Sequence, residues 1–198
     1  MTQIINDMNA DNTITFGSVV AIGNFDGVHI GHQSLIKLII ERAKSKNSNS
    51  GILSFEPHPR EFFDKQKQSF KIMSTESRRK KLSKTGLDFI IELPFNKSVA
   101  NMEPSTFIED ILHEKFGITH IIIGQDFKFG KARSGNADML KKLGKAFGIK
   151  VEIFEIKKNR NLNISSSRIR DLIKTGEVGT ANDLLGSCHS VIGKVQKG

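Results

Sequence analysis

Five apolar runs punctuate the chain: VVAIGNF (19–25), GILSFEP (51–57), FIIELPF (89–95), HIIIGQDF (120–127) and KVEIFEI (150–156). Each is short, nearly continuous in Val, Ile, Leu and Phe, and most are bounded by Gly, Pro, Asn or Asp. That is the pattern of a strand buried on both faces. Between the runs the apolar residues shift to helical spacing. HQSLIKLIIERAKSK sets Leu35, Ile36, Ile39, Ile40 and Ala43 on one face. PSTFIEDILHEKF does the same with Phe107, Ile108, Ile111 and Leu112, behind a Pro104 placed for a first turn. NADMLKKLGKAFG repeats the pattern and closes on Gly148, a residue suited to a helix C-terminus. A further helix is predicted to begin near Thr75 or Glu76. Strands alternating with helices predict an α/β fold, a mostly parallel sheet with helices on both faces. KSKNSNSG (44–51) reads as a polar loop rather than an interdomain linker.

In such a sheet ligands gather beyond the carboxyl ends of the strands. Four polar motifs fall there: GNFDGVHIGH, EPHPREFF, GQDFKFGKARSGN and ISSSRIR. They are far apart in sequence and are expected to meet on one rim.

Composition narrows the choice of partner. The 198 residues carry a formal net charge of +9, which favours a polyanionic partner such as a nucleotide. The basic residues are spread out, with short clusters at RRKK (Arg78 to Lys81) and KKNR (157–160). RRKK is expected to be a solvated helix face. No apolar run approaches a membrane span, and the polar N-terminus does not read as a secretory signal. The single cysteine, Cys188, fits a reducing cytoplasm. There is no Trp and no Tyr but there are 14 Phe, so aromatic stacking on a ligand falls to Phe, His or Arg.

The stretch from Gly23 to His32 carries the sharpest chemistry. Gly23 and Gly27 permit tight turns and close approach of a ligand, and Gly31 does so at a helix start, where free N–H groups favour an anion. His32 is predicted in the first turn and His29 just before it, with both rings able to address one anion. Such donors suit the charge that develops on phosphate oxygens during nucleotidyl transfer. Neither GxGxxG nor GxxxxGK[ST] occurs, and two histidines without further ligands make an incomplete zinc set.

HxGH in this position is the signature of a nucleotidyltransferase superfamily. The longer string GNFDGVHIGHQSLI resembles the adenylyltransferase module of bacterial FAD synthetase, usually a riboflavin kinase/FMN adenylyltransferase. SFEPHPREFF, LPFNKSVANMEPSTFI, IIIGQDFKFGKARSGN and ISSSRIRDLIKTGEVGTANDLLG resemble that family's further segments, in the same order, over about residues 16–186. The resemblance implies a Rossmann-like nucleotidyltransferase domain (1–186), with 187–198 a short remnant or the start of a riboflavin kinase module. It implies transfer of AMP from ATP to FMN, giving FAD and pyrophosphate, with Mg2+ accompanying ATP.

The residues carry over as follows. His29, His32 and Arg168 match catalytic positions. Gly23, Asn24, Phe25, Asp26 and Gly27 match the ATP-binding turn, where Asp26 is expected to brace the turn. Ser165, Ser166, Ser167 and Arg168 match the triphosphate-binding segment, and Arg170 is expected to face elsewhere. For FMN, Asp126 matches a family position. Pro57, His58 and Pro59 form a stiff corner expected to approach the flavin ring, Phe62 or Phe63 is expected to stack on it, and Arg133 is expected to meet the FMN phosphate. Lys128 and Lys131 join Arg133 in a flexible glycine-bearing loop. Asp126 is the one carboxylate expected to assist Mg2+. Three departures stand out: the family often has Gly where Ala132 stands, Asp where Asn136 stands, and LLGRPY where this chain has LLGSCHS. Riboflavin kinase activity is not expected from this chain alone, and neither nucleic acid nor a membrane is expected as a partner. The alternatives are another HxGH transferase with a different phosphorylated acceptor, which an acceptor screen discriminates, and a non-catalytic nucleic-acid binder, which a steep salt dependence would reveal. With Trp and Tyr absent, FMN emission is expected to change less on binding than in sites lined by those residues, as fluorescence titration would show.

Overall fold

In the computed structural model the described residues are 1–6, 12–64, 70–155, 164–193 and 195–196. Six parallel strands form the main sheet: β1 (Gln3–Ile5), β2 (Val19–Ile22), β3 (Ser50–Glu56), β4 (Phe89–Pro94), β5 (His120–Gly124) and, after a small hairpin of β6 (Lys128–Phe129) and β7 (Gly135–Asn136), β8 (Lys150–Phe154). Their spatial order is β1-β4-β3-β2-β5-β8. From β2 the chain steps outward through β3 to β4, then crosses back to place β5 on the other side of β2. The order reverses between β2 and β5, and the crevice at such a reversal is where an open α/β sheet binds ligand.

Alternate strand residues serve opposite layers, as the period of a strand requires. Val19, Ala21, Ile52, Ile90 and Ile122 pack with α1 (Ile30–Lys44), through Leu35, Ile36 and Ile39, and with Leu82 of α3 (Thr75–Ser83). Val20, Ile22, Leu53, Ile91, Ile121 and Ile123 face the other way. There they meet Phe107, Ile108, Ile111 and Leu112 of a segment that starts as the short helix Pro104–Thr106 and continues as a π-helix, Phe107–Lys115. The helix Ala137–Gly144 and a turn of 3-10 helix, Lys145–Phe147, follow β7, and Gly148 ends them with φ of 69°. A third cluster joins Ile72 to the last two helices, Ser166–Lys174 and Val178–Leu185.

The strands end earlier than the apolar runs: GNF and QDF are already loop, because the polar and glycine residues there leave the sheet. β1 had no pattern of its own and exists because its backbone pairs with β4. The KKNR cluster and Ile156 lie outside the described residues. RRKK is only in part a solvated face: Lys80 is exposed, but its neighbours turn inward. Arg78 is 4% exposed, and its guanidinium donates to Glu56 (3.1 Å), Glu92 (3.2 Å) and the Asn24 carbonyl (3.2 Å). Arg79 pairs with the same Glu92, and this holds the Glu92 carboxyl below its usual range against the opposing effect of burial. Charge runs are ordinarily solvated; here two carboxylates from β3 and β4 draw the arginines inward.

Arg78→Met is therefore expected to destabilise the fold by about 3 kcal/mol, the lower end for breaking a buried pair, since Glu92 keeps Arg79. Denaturant unfolding measures it. A loss under about 1 kcal/mol would return Arg78 to the status of a surface charge.

Candidate active site

The residues after β2 turn sharply before α1 begins. Phe25, Gly27 and Val28 all have left-handed backbone, with φ of 53°, 84° and 42°. Neither Phe nor Val adopts it willingly, so neighbours must hold the turn. Four side chains from elsewhere take its carbonyl groups. Arg78 donates to Asn24 (3.2 Å), Ser166 to Asp26 (2.9 Å), Lys81 to Gly27 (3.2 Å) and Gln33 to Val28 (2.8 Å). The Asp26 carboxylate accepts the Ile72 N–H at 3.0 and 3.1 Å and the Arg170 guanidinium at 2.9 Å. Asp26 thus braces the turn.

His29 caps α1: its Nδ1 accepts the His32 backbone N–H at 3.2 Å. That bond leaves Nε2–H of the neutral ring as the donor. The two imidazoles stack with centroids 3.6 Å apart and planes 15° from parallel. Burial lowers the His29 pKa to about 4, against the pull of Asp26. Burial also places His32 well below the ordinary histidine value, reinforced by His29. At neutral pH both are therefore uncharged, and beside the helix N-terminus they offer hydrogen-bond donors rather than imidazolium charges.

A second helix N-terminus faces the same space. Ser165 caps Ser166–Lys174 by accepting the Arg168 N–H at 3.3 Å. Ser166 and Arg170, four residues apart on one face, both grip Asp26. Ser165, Ser166, Ser167 and Arg170 line a cavity of about 1510 Å³ together with Gly23, Asn24, Phe25, Asp26, His29 and His32. Arg168 does not line it. Successive helical residues turn by about 100°, so a helix that shows Arg170 to the cavity turns Arg168 about 200° away. Arg168, matched above to the triphosphate segment, thus lies off the lining, while Arg170, expected to face elsewhere, is part of it.

The far half of the cavity is aromatic. Phe55, Phe63, Phe95, Phe107, Phe127 and Phe129 line it, the last pair stacked at 14°. His58 and Pro59 stand at its edge. His58 caps the short helix Pro59–Phe63, and burial lowers its pKa to about 4. Pro57 is exposed and lies outside the lining, and Phe62 packs edge-on to Phe95, 5.3 Å between centroids, leaving Phe63 at the cavity. Phe70 also lines it, with the guanidinium carbons of Arg60 and Arg170 5.1 and 5.0 Å from its ring centre. Phe70 follows no motif, and only the fold reveals it. Asp126, Lys128 and Arg133 close the rim. Their segment is the β6–β7 hairpin rather than an open loop, with Ala132 and Arg133 at φ of 51° and 59°. Asn136 caps the following helix through Oδ1 to the Met139 N–H at 2.9 Å, a task Asp would perform equally. Gly27 lies behind the lining, where a Cβ would meet Ile72 at 3.0 Å and Leu185 at 3.1 Å.

A parallel sheet whose reversal point opens on two helix N-termini and a stacked histidine pair defines a nucleotide-binding α/β domain of the nucleotidyltransferase type. The chain belongs to the FAD synthetase family, whose sequence model matches residues 11–168. Relatives named bifunctional riboflavin kinase/FMN adenylyltransferase include one from Buchnera aphidicola subsp. Schizaphis graminum. It is 34% identical over 99% of this chain and 63% of its own length. One from Haemophilus influenzae is 32% identical, over 99% of this chain and 64% of its own length. This chain thus spans less than two thirds of these relatives. A solved structure described as a macrolide-efflux protein from Streptococcus pneumoniae superposes with a TM-score of 0.81 at 26% identity, over 96% of this chain and 72% of that one. That description belongs to that protein; no helix among the described residues here is long and apolar enough to cross a membrane.

The depressed histidines set a pH dependence. His29, His58 and His120 each fall from 6.5 to about 4, so the unfolded chain binds protons more readily than the folded one below about pH 6.5. Their contribution is complete above pH 6.5 and is lost as the pH falls toward 4. The unfolding midpoint is expected to drop across that window, and His120→Asn to flatten the slope. A flat midpoint between pH 7 and 4.5 would show that these rings are not buried neutral.

Proposed function

We propose that this chain adenylylates FMN: ATP and FMN give FAD and pyrophosphate. The observation that carries the reading is a single cavity with an anion-binding end, made by two helix N-termini and paired histidines, and a phenylalanine-lined end suited to a flavin ring. Family membership supports the same reaction.

ATP places its triphosphate between the N-termini of α1 and of the helix Ser166–Lys174. Ser165, Ser166 and Ser167 and the backbone N–H groups hold it, with Arg170 rather than Arg168 as the nearby guanidinium. Gly23, Asn24 and Phe25 form the wall beside the nucleotide. FMN lies along the phenylalanines, with His58 and Pro59 at its edge and Arg133 toward its phosphate. An FMN phosphate oxygen attacks the α-phosphorus, the bond to the bridging oxygen breaks, and pyrophosphate leaves with that electron pair. The attacking oxygen is already anionic, so no strong base is required, and catalysis rests on alignment and charge stabilisation. Neutral His29 and His32 donate to oxygens that gain charge. Among the described residues no group of three His, Cys, Asp or Glu could enclose a metal. Three carboxylates line the cavity, Asp26, Asp126 and Glu155, and with Asp26 already held by Ile72 and Arg170 we assign the metal contact to Asp126. That suits Mg2+, which keeps most of its ligands as phosphate oxygens and water. Asp126 would hold the ion, which neutralises triphosphate charge when bound. The same reading makes this a cytoplasmic enzyme of small molecules rather than a nucleic-acid binder, in keeping with the free, exposed Cys188.

Incubation with ATP, Mg2+ and FMN is expected to yield FAD and pyrophosphate in equal amounts. His29→Asn and His32→Asn should each lower turnover by about 10²–10³-fold, the scale of one preorganised donor. Arg170→Ala should cost far more activity than Arg168→Ala. No FAD from the unaltered chain, or full activity in both histidine variants, would overturn the reading.

A further inference from the structure

We infer that Lys81 is a positioning residue for the reaction proposed above: its ammonium locks the Gly27–Val28 corner of the nucleotide turn against the end of the C-terminal helix. The inference rests on that functional reading. Lys81 projects from α3 and lies outside the cavity, lining instead a groove on the far side of the turn. It therefore does not touch substrate. Its Nζ donates to the Gly27 carbonyl (3.2 Å), the Leu185 carbonyl (3.2 Å) and the Ser187 hydroxyl (3.0 Å), which uses all three ammonium protons. Gln33 of α1 forms a parallel link, from the Val28 carbonyl (2.8 Å) to the same Leu185 carbonyl (3.1 Å).

Two consecutive carbonyls of the turn are thus tied to one carbonyl at the end of Val178–Leu185. The segment beyond that helix is tied to the same turn again. His189 Nε2 donates to the Ile72 carbonyl at 3.0 Å, while the Ile72 N–H binds Asp26. This is the LLGSCHS stretch, where the sequence parts from the LLGRPY of the family it resembles.

The arrangement has two consequences for the site. Carbonyl oxygens repel phosphate, and Lys81 draws that of Gly27 to the rear. The corner also carries left-handed backbone at both Gly27 and Val28, a conformation that Val leaves when released. His29 follows directly, and its place as cap of α1 sets the stacked pair. Without Lys81 the corner can relax and His29 shifts, although every cavity side chain is still present. A shift of about 1 Å transmitted from outside the chemistry can cost about 10²-fold in rate.

The test compares Lys81→Met, Lys81→Arg and, as control, Lys80→Met on the exposed side of α3. Steady-state kinetics, ATP affinity by calorimetry and amide hydrogen exchange over 26–32 are read for each. Lys81→Met is expected to lower kcat by about 10–10²-fold, with the KM for ATP changed by less than about threefold. Exchange across 26–32 should accelerate, Lys81→Arg should recover much of the loss by supplying donors, and Lys80→Met should match the unaltered chain. Should Lys81→Met fail to fold, Lys81→Gln, which keeps one amide donor group, is read against the same expectations. Unchanged kcat and exchange in the folded variant overturns the inference, as does a loss that appears wholly in KM or is equal in Lys81→Arg. If the unaltered chain makes no FAD, the functional reading fails, while ATP affinity and exchange over 26–32 still decide the role of Lys81.

Discussion

Between β2 and α1 the backbone passes through left-handed φ at Phe25, Gly27 and Val28, and that turn stands only because other elements hold its carbonyl groups. Left-handed backbone costs roughly 1–2 kcal/mol at a residue other than Gly, so Phe25 and Val28 together store a substantial strain. The restoring contacts come from α1, α3 and the helix Ser166–Lys174. A local sequence of ten residues is therefore a tertiary object. Its shape depends on helices that begin up to 140 residues later, as the Ser166 to Asp26 bond shows.

Holding the carbonyls outward has an electrostatic result. The donors that grip them include two cations, Arg78 and Lys81, on the side away from the cavity. What faces the cavity is then the donor side of two helix N-termini and two neutral imidazoles. A protonated histidine pair stacked at 3.6 Å would carry like charges in contact, and burial removes that penalty by keeping both rings neutral. The anion end can thus be strong in donors without an exposed imidazolium. The aromatic end needs no such support, since phenylalanines packed edge to face hold one another.

Behind the turn, Arg78, Arg79, Glu56 and Glu92 join the carboxyl ends of β3 and β4 to α3. This network explains why Arg78, in a run that reads as surface charge, is buried. It also explains how α3, which has little apolar surface of its own, docks firmly enough to present Lys81 to Gly27. The departures from the family pattern have similarly local reasons. Asn136 keeps the helix cap that Asp would make, while Ala132 occupies left-handed backbone where Gly would be free of strain.

Periodicity alone determined the α/β class, the five main strands, α1 and the two helical segments on the opposite face of the sheet, because burial on both faces writes itself into continuous apolar runs. The polar motifs at the strand ends also disclosed where the cavity would lie, since a parallel sheet offers one binding edge. The positions of His29 and Ser165 at helix starts were legible too, whereas their service as the caps themselves came from the structure. Tertiary structure decided the rest. β1 exists through pairing with β4, Phe70 reaches the cavity through packing that no spacing encodes, and packing also decides that Phe63 rather than Phe62 lines it. That Arg170 and not Arg168 lines the cavity turns on the rotation of one helix about its axis, which the Arg170–Asp26 pair holds. The inward turn of Arg78 and Lys81 depends on partners that sequence places at distances of 14 to 106 residues, and a linear pattern has no record of which distant groups will arrive beside it.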